Sequence, residues 1–177
     1  MGFSCSWAAV RGHDHAAVLT ALGFVDSGLA DEARESAVSG AALPGGWYLV
    51  FLNEVYSRHL SDRAMAALSR AGEVVVAAVQ EHAMYTTVAY FQAGARQWSI
   101  EHDPAQSPDH LVVEGEPPAL FRTILAENYA AQGHETHPDR RVDRIFEVPL
   151  SLAEHLTGFR HDQLSDAVFT RLQPAAS

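Results

Sequence analysis

Two runs of acid–base residues bracket one stretch of this chain. Glu81-His82 opens it and Glu101-His102-Asp103 closes it. Between them, MYTTVAYFQAGARQWSI reads as a β-hairpin with its turn at Ala93-Gly94, where glycine takes the positive φ that tight turns require. That register pairs Phe91 with Arg96, Ala89 with Trp98, Thr87 with Ile100 and Tyr85 with His102. It collects Tyr85, Thr87, Ala89, Phe91, Trp98, Ile100 and His102 on one mostly apolar face, the expected core face. Glu81 then lies roughly 13 Å along the strand from the position opposite His102, so the two Glu-His pairs do not converge. His82 and Asp103 do share a face, as diagonal neighbours about 7–8 Å apart. A carboxylate that orients an imidazole and raises its pKa makes a general acid–base pair, so His82 and Asp103 are the candidate catalytic residues. The same two groups also satisfy each other at a sheet end. A slip of one residue in register separates them.

Binding candidates come from polar segments that leave rigid elements. Asn53–His59 follows an apolar strand and offers Glu54, Tyr56 and Arg58. Glu101 belongs with them at the end of the hairpin. Arg160, His161 and Asp162 follow a helix C-terminus, where the helix dipole favours Arg and His. The ten histidines raise the question of a metal. His13-Asp14-His15 sits where a helix needs Asp14 as its N-cap. His134-Glu135-Thr136-His137 lies in a polar loop and lacks the i, i+4 helical spacing of a zinc protease motif. No metal and no cofactor is expected.

The chain also lacks a phosphate-binding P-loop, a dinucleotide fingerprint and a G-x-S-x-G nucleophile elbow. The glycines at 45 and 46 precede a strand, so no helix N-terminus faces a phosphate there. The single cysteine, Cys5, rules out an intramolecular disulfide and sits in an apolar strand as a buried thiol. The formal net charge of −10, with arginine as the only strong base, disfavours nucleic-acid binding and suits a basic protein partner. The N-terminal MGFSCSWAAVRG has no basic segment followed by an apolar run, and no apolar stretch reaches membrane-spanning length. A cytoplasmic location without membrane insertion is the expectation.

The elements that must position these residues follow from periodicity. Phe3, Cys5, Trp7 and Ala9 alternate with smaller residues as a half-buried strand. Asp14 caps a helix that stops at Gly23. Residues 25–46, rich in Gly, Ser, Ala and acid, read as an insertion or loop with a short polar helix near Asp31 to Val38. WYLVFL at 47–52 is a strand, and Ser61 starts a helix whose Leu60 and Met65 form a hydrophobic staple. EVVVAAV at 73–79 is apolar on both faces and reads as a central strand. A strand at 111–113, a helix from Pro118 to Gly133, a strand at 142–148, a helix capped by Ser151 and a last strand at 167–172 complete the chain. The whole, 1–177, is expected to be a single α+β domain with a mixed, largely antiparallel sheet packed by about four short helices. The functional expectation is a non-catalytic acidic interaction protein, of the immunity or inhibitor type, that binds a basic partner. The alternative is a small enzyme or ligand-binding protein that uses the His82–Asp103 pair.

Overall fold

The computed structural model describes residues 2–133 and 143–176. The elements run β1 (Ser4–Arg11), α1 (His15–Leu22), β2 (Phe24–Ala30), β3 (Val38–Leu43), β4 (Trp47–Leu52), α2 (Asp62–Leu68), β5 (Glu73–Gln80), β6 (Tyr85–Gln92), β7 (Ala95–His102), β8 (Val112–Gly115), α3 (Leu120–Gly133), α4 (Glu147–Thr157) and β9 (Thr170–Pro174). Among the described residues, nine strands join one sheet in the order β2-β9-β3-β4-β1-β5-β6-β7-β8. Every pairing is antiparallel, so the sheet is not mixed. β1 and β5 lie side by side near its centre, which is why both carry apolar residues on both faces.

The strand period of two divides the core between the faces. Cys5, Trp7, Leu49, Phe51, Val75, Ala77, Val79, Val88, Trp98 and Ile100 pack with Phe121, Ile124, Val148, Leu150 and Leu152 of α3 and α4. Ala8, Val10, Val50, Leu52, Val74, Ala89 and Phe91 pack with Val18, Leu19 and Leu22 of α1 and with Met65 and Leu68 of α2. α1 begins as expected, with the Asp14 carboxylate accepting from Ala16 N at 3.0 Å, and ends at Gly23 with φ 76°.

Residues 25–46 are not an inserted loop. They supply β2 and β3, and no helix forms between Asp31 and Val38. The Asp31 carboxylate folds the connection instead, accepting from Glu35 N at 3.0 Å, Ser36 N at 3.2 Å and the Ser39 hydroxyl at 2.5 Å. β9 enters between β2 and β3, so the C-terminal strand is interior and the sheet edges are β2 and β8. A second correction concerns 142–148. Residue 142 lies outside the described residues, and 144–146 turn directly into α4, which starts at Glu147, before the expected Ser151 cap. Asp143 causes this. Its Oδ1 accepts from Ile145 N at 3.1 Å and Phe146 N at 3.2 Å, drawing the backbone into a turn.

The hairpin holds the third correction. Ala93 and Gly94 form the turn, both with positive φ, and Phe91 faces Arg96. Beyond that pair the register shifts, so that Tyr90 faces Trp98, Ala89 faces Ser99, Val88 faces Ile100, Thr87 faces Glu101 and Thr86 faces His102. One extra residue in β7 is a β-bulge. Thr86, Val88, Trp98, Ile100 and His102 are therefore the buried set on the α4 side, and Thr87, Ala89, Ser99 and Glu101 face the α2 side.

Candidate functional site

Side-chain size along three transverse rows of the sheet shapes a cleft on the α2 side. The row Val10–Val74–Phe91–Arg96 is bulky, and its apolar members pack in the core with Met65 and Leu68 of α2. The next two rows are Ala8–Val76–Ala89–Ser99–Glu114 and Ser6–Ala78–Thr87–Glu101–Val112. Most of these side chains are small, so the floor drops where α2 ends. Cross-strand neighbours on one face lie about 5 Å apart, so five strands make a floor roughly 20 Å wide. The segment from Val55 to Asp62 walls the cleft, whose volume is about 600 Å³.

Hydrogen bonds fix the wall and rim. The Ser6 hydroxyl donates to Glu54 O at 2.7 Å and pins the start of the wall to β1. Ser57 Oγ caps the short helical turn at Arg58–Leu60, accepting from His59 N at 3.4 Å. His59 Nδ1 donates to Leu22 O at 2.8 Å, joining the wall to the end of α1. Across the cleft, Arg96 binds Asp62 at 3.1 Å and Glu114 at 2.7 Å. The Tyr85 hydroxyl donates to Glu101 Oε2 at 3.1 Å, and the Tyr56 ring stands 6.4 Å from that of Tyr85. Burial and the adjacent Glu101 push the Tyr85 phenol well above its ordinary pKa, so it stays a donor. Arg58 lines the cleft and makes no hydrogen bond or ion pair through its side chain with any described residue.

Tyr56, Arg58 and Glu101 thus meet in one cleft, with Glu54 at its margin. Arg160, His161 and Asp162 lie across the sheet, against α4 and the end of β1. Arg160 bridges Glu147 at 2.5 Å, Asp162 at 2.7 Å and Glu154 at 3.7 Å. Burial alone lowers an arginine pKa, but the Glu147 and Asp162 carboxylates outweigh it and hold Arg160 above its ordinary value. His161 stacks on Trp7, with ring centroids 5.7 Å apart. The seven binding candidates therefore divide between the two faces.

His82 and Asp103 do not form a pair. His82 lies exposed on the short helical turn at Glu81–Ala83 and makes no polar contact with a described residue. Asp103 turns its carboxylate to Ala105 N at 3.0 Å and Gln106 Nε2 at 3.4 Å. The bulge removes the register on which their pairing rests. The His–Asp contact at this end of the hairpin is made by His102, whose Nε2 lies 2.8 Å from Asp143 Oδ2 and Nδ1 2.6 Å from His110 O. His102 is fully buried, beside Asp143 at the start of α4. Asp143 escaped sequence reasoning because the segment around it was read as a strand.

Of the proposed metal motifs, His13 donates to Leu68 O at 2.7 Å and His15 stacks on Tyr48 at 4.4 Å, so these two serve different contacts. His134-Glu135-Thr136-His137 lies outside the described residues. Among the described residues no three His, Cys, Asp or Glu side chains are grouped to hold a metal ion. No helix among them is long and apolar enough to cross a membrane. The chain matches no protein-family model, no curated protein and no solved structure.

Proposed function

We propose that this chain acts by binding, and that the cleft beneath Tyr56 receives a basic segment of a protein partner. The observation that carries this reading is the floor of small side chains, Ala78, Thr87, Ala89 and Ser99, flanked by Glu101 and by Asp62 and Glu114, which Arg96 bridges. Ala78, Ala89, Thr87 and Ser99 let a partner backbone approach the sheet closely. Glu101 keeps its second oxygen free of any described partner and is placed to meet a cationic side chain. Arg58 is placed to donate to partner carbonyls. The chain's net charge of −10 favours encounter with a basic surface at low salt. Among the described residues no histidine lines the cleft.

Isothermal titration with a short peptide bearing arginine and lysine tests this reading. Glu101→Gln should weaken binding about tenfold, near 1.4 kcal/mol, and Ser99→Phe should abolish it by filling the floor. Binding indifferent to both changes contradicts the proposal. A second reading, a small polar ligand in the same cleft, is favoured by the volume of about 600 Å³, within the span of roughly 300–1,000 Å³ common to small-molecule pockets. It predicts that the peptide fails to bind while the same two substitutions alter ligand binding.

A further inference from the structure

On the α4 side of the sheet, toward the β6–β7 turn, a cavity of about 370 Å³ opens among three aromatic rings and charged groups of both signs. Two transverse rows of the sheet lie beneath it. One is Trp47–Arg11–Glu73–Gln92 and the other is Val75–Tyr90–Trp98. Trp47 and Tyr90 stand three strand spacings apart, about 14 Å, with the Arg11–Glu73 ion pair on the floor between them. Pro118 and Leu156 of α4 add apolar surface to the lining.

The floor satisfies itself. Arg11 Nε donates to Glu73 Oε2 at 2.7 Å and the Tyr90 hydroxyl donates to Glu73 Oε1 at 2.7 Å, so both carboxylate oxygens are engaged. The Arg11 guanidinium carbon lies 4.5 Å from the Trp47 ring centroid, and the Tyr90 ring stacks on Trp98 at 5.7 Å. Burial and then the Glu73 contact push the Tyr90 phenol up to about 12, so it keeps its proton. The rest of the lining is not satisfied. The Gln92 side-chain amide and the Glu116 carboxylate are exposed and have no partner among the described residues. Trp47 and Trp98 are 4% and 5% exposed. Their indole N–H groups also have no partner among the described residues, and neither is sealed from solvent as Trp7 Nε1 is.

These groups select a class of ligand. An anion would meet Glu73 and Glu116. A cation would meet Arg11, which already occupies the Trp47 face. Charge of both signs in so small a space rejects either and favours a neutral ligand. That ligand must accept from indole and amide N–H groups, donate to carboxylate and amide oxygens, and lay carbon-bound hydrogens against aromatic and aliphatic side chains. Hydroxyl groups both donate and accept, and the carbons of a sugar ring supply the apolar face. We propose that this cavity binds a short neutral saccharide of one or two rings. Its hydroxyls accept from the free indole N–H groups and the Gln92 amide and donate to Glu116, while its ring carbons pack against Tyr90 and Leu156. The volume of about 370 Å³ lies near the lower end of the roughly 300–1,000 Å³ common to small-molecule pockets, which suits a short saccharide rather than a polymer. The site lies across the sheet from the cleft beneath Tyr56 and is independent of it.

The test is an NMR titration of the three indole N–H resonances at neutral pH. Glucose, galactose, mannose, N-acetylglucosamine, lactose and cellobiose are separate arms, each taken to roughly 100 mM, which saturates a millimolar site. Tetramethylammonium is the cationic comparison. The expected result is a saturable shift of the Trp47 or Trp98 indole, or both, with at least one sugar, while the Trp7 indole stays unmoved. Gln92→Ala and Glu116→Ala should each weaken that sugar roughly three- to tenfold. Both residues are exposed, so the fold should be kept, and an unchanged Trp7 resonance checks this. No saturable Trp47 or Trp98 shift with any of the sugars overturns the proposal. Sugar binding indifferent to both substitutions also overturns it, as does tetramethylammonium moving the same indoles at lower concentration than every sugar.

Discussion

Replacing Asp143 with alanine should cost this protein about 3 kcal/mol, and the estimate follows from two roles of one carboxylate. Oδ2 takes the His102 Nε2 contact at 2.8 Å, against a ring that is fully buried. A hydrogen bond to a charged group contributes roughly 1.5–3 kcal/mol, and its loss leaves a buried nitrogen unsatisfied. Oδ1 takes Ile145 N and Phe146 N, a cap-like arrangement whose loss typically costs about 0.5–2 kcal/mol. Asp143 is one-fifth exposed, so solvent screening removes only part of this. For a chain of this length about 3 kcal/mol corresponds to a fall in Tm of roughly 6–12 °C. Asp143→Asn retains an oxygen for the two backbone amides and should lose less than half as much. Urea unfolding of the three proteins, with unchanged m-values, is the assay. A loss below about 1 kcal/mol for Asp143→Ala would show that α4 does not depend on this link to the hairpin.

Other outcomes follow from single residues. The Tyr90 hydroxyl and then Arg11 hold the Glu73 carboxyl below its usual pKa, and they outweigh the opposing effect of burial. Its contribution to stability is therefore complete above the ordinary carboxylate range and is lost as pH falls through the depressed value. Glu73→Gln should flatten the acid limb of a stability–pH curve, and an unchanged limb contradicts this. Gly115 has φ +72°, and an added Cβ would sit 2.1 Å from Gln97 O. Gly115→Ala should cost about 1–3 kcal/mol and detach β8, read as faster amide exchange at Glu114. Met65 is fully buried between α2 and the sheet, so Met65→Ala should cost about 2–5 kcal/mol in thermal or urea unfolding.

The parts of the fold that were legible in the sequence are those written in local patterns. Alternation marks β1 and the hairpin strands, the doubly apolar run marks β5 as central, and Asp14 and Gly23 bound α1. The glycine-rich 25–46 segment hid β2 and β3 because β2 is a largely exposed edge strand and β3, though mostly buried, is built from Ser, Gly and Ala, so neither carries a strong alternating signal. The bulge in β7 left no trace, since Gln97 differs in no obvious way from its neighbours, yet it reverses the face of every residue beyond it. That reversal dissolved the His82–Asp103 pairing and exposed Glu101 in the cleft. Tyr56 and Arg58 were readable as residues leaving a rigid strand. The floor beneath them was not, because Ser6, Ala78 and Thr87 become neighbours only through non-local pairing.

Mapping the short arginine- and lysine-bearing peptide onto the backbone amides by NMR, with a charge-reversed peptide as control, tests the binding cleft most directly. The prediction is a set of perturbations confined to Ser6, Ala78, Thr87, Ser99, Glu101 and the 55–62 wall, weakened by salt and missing with the acidic peptide. Perturbations centred on the α4 face or the β2 edge, or equal effects from both peptides, would contradict a cleft built to receive a basic partner.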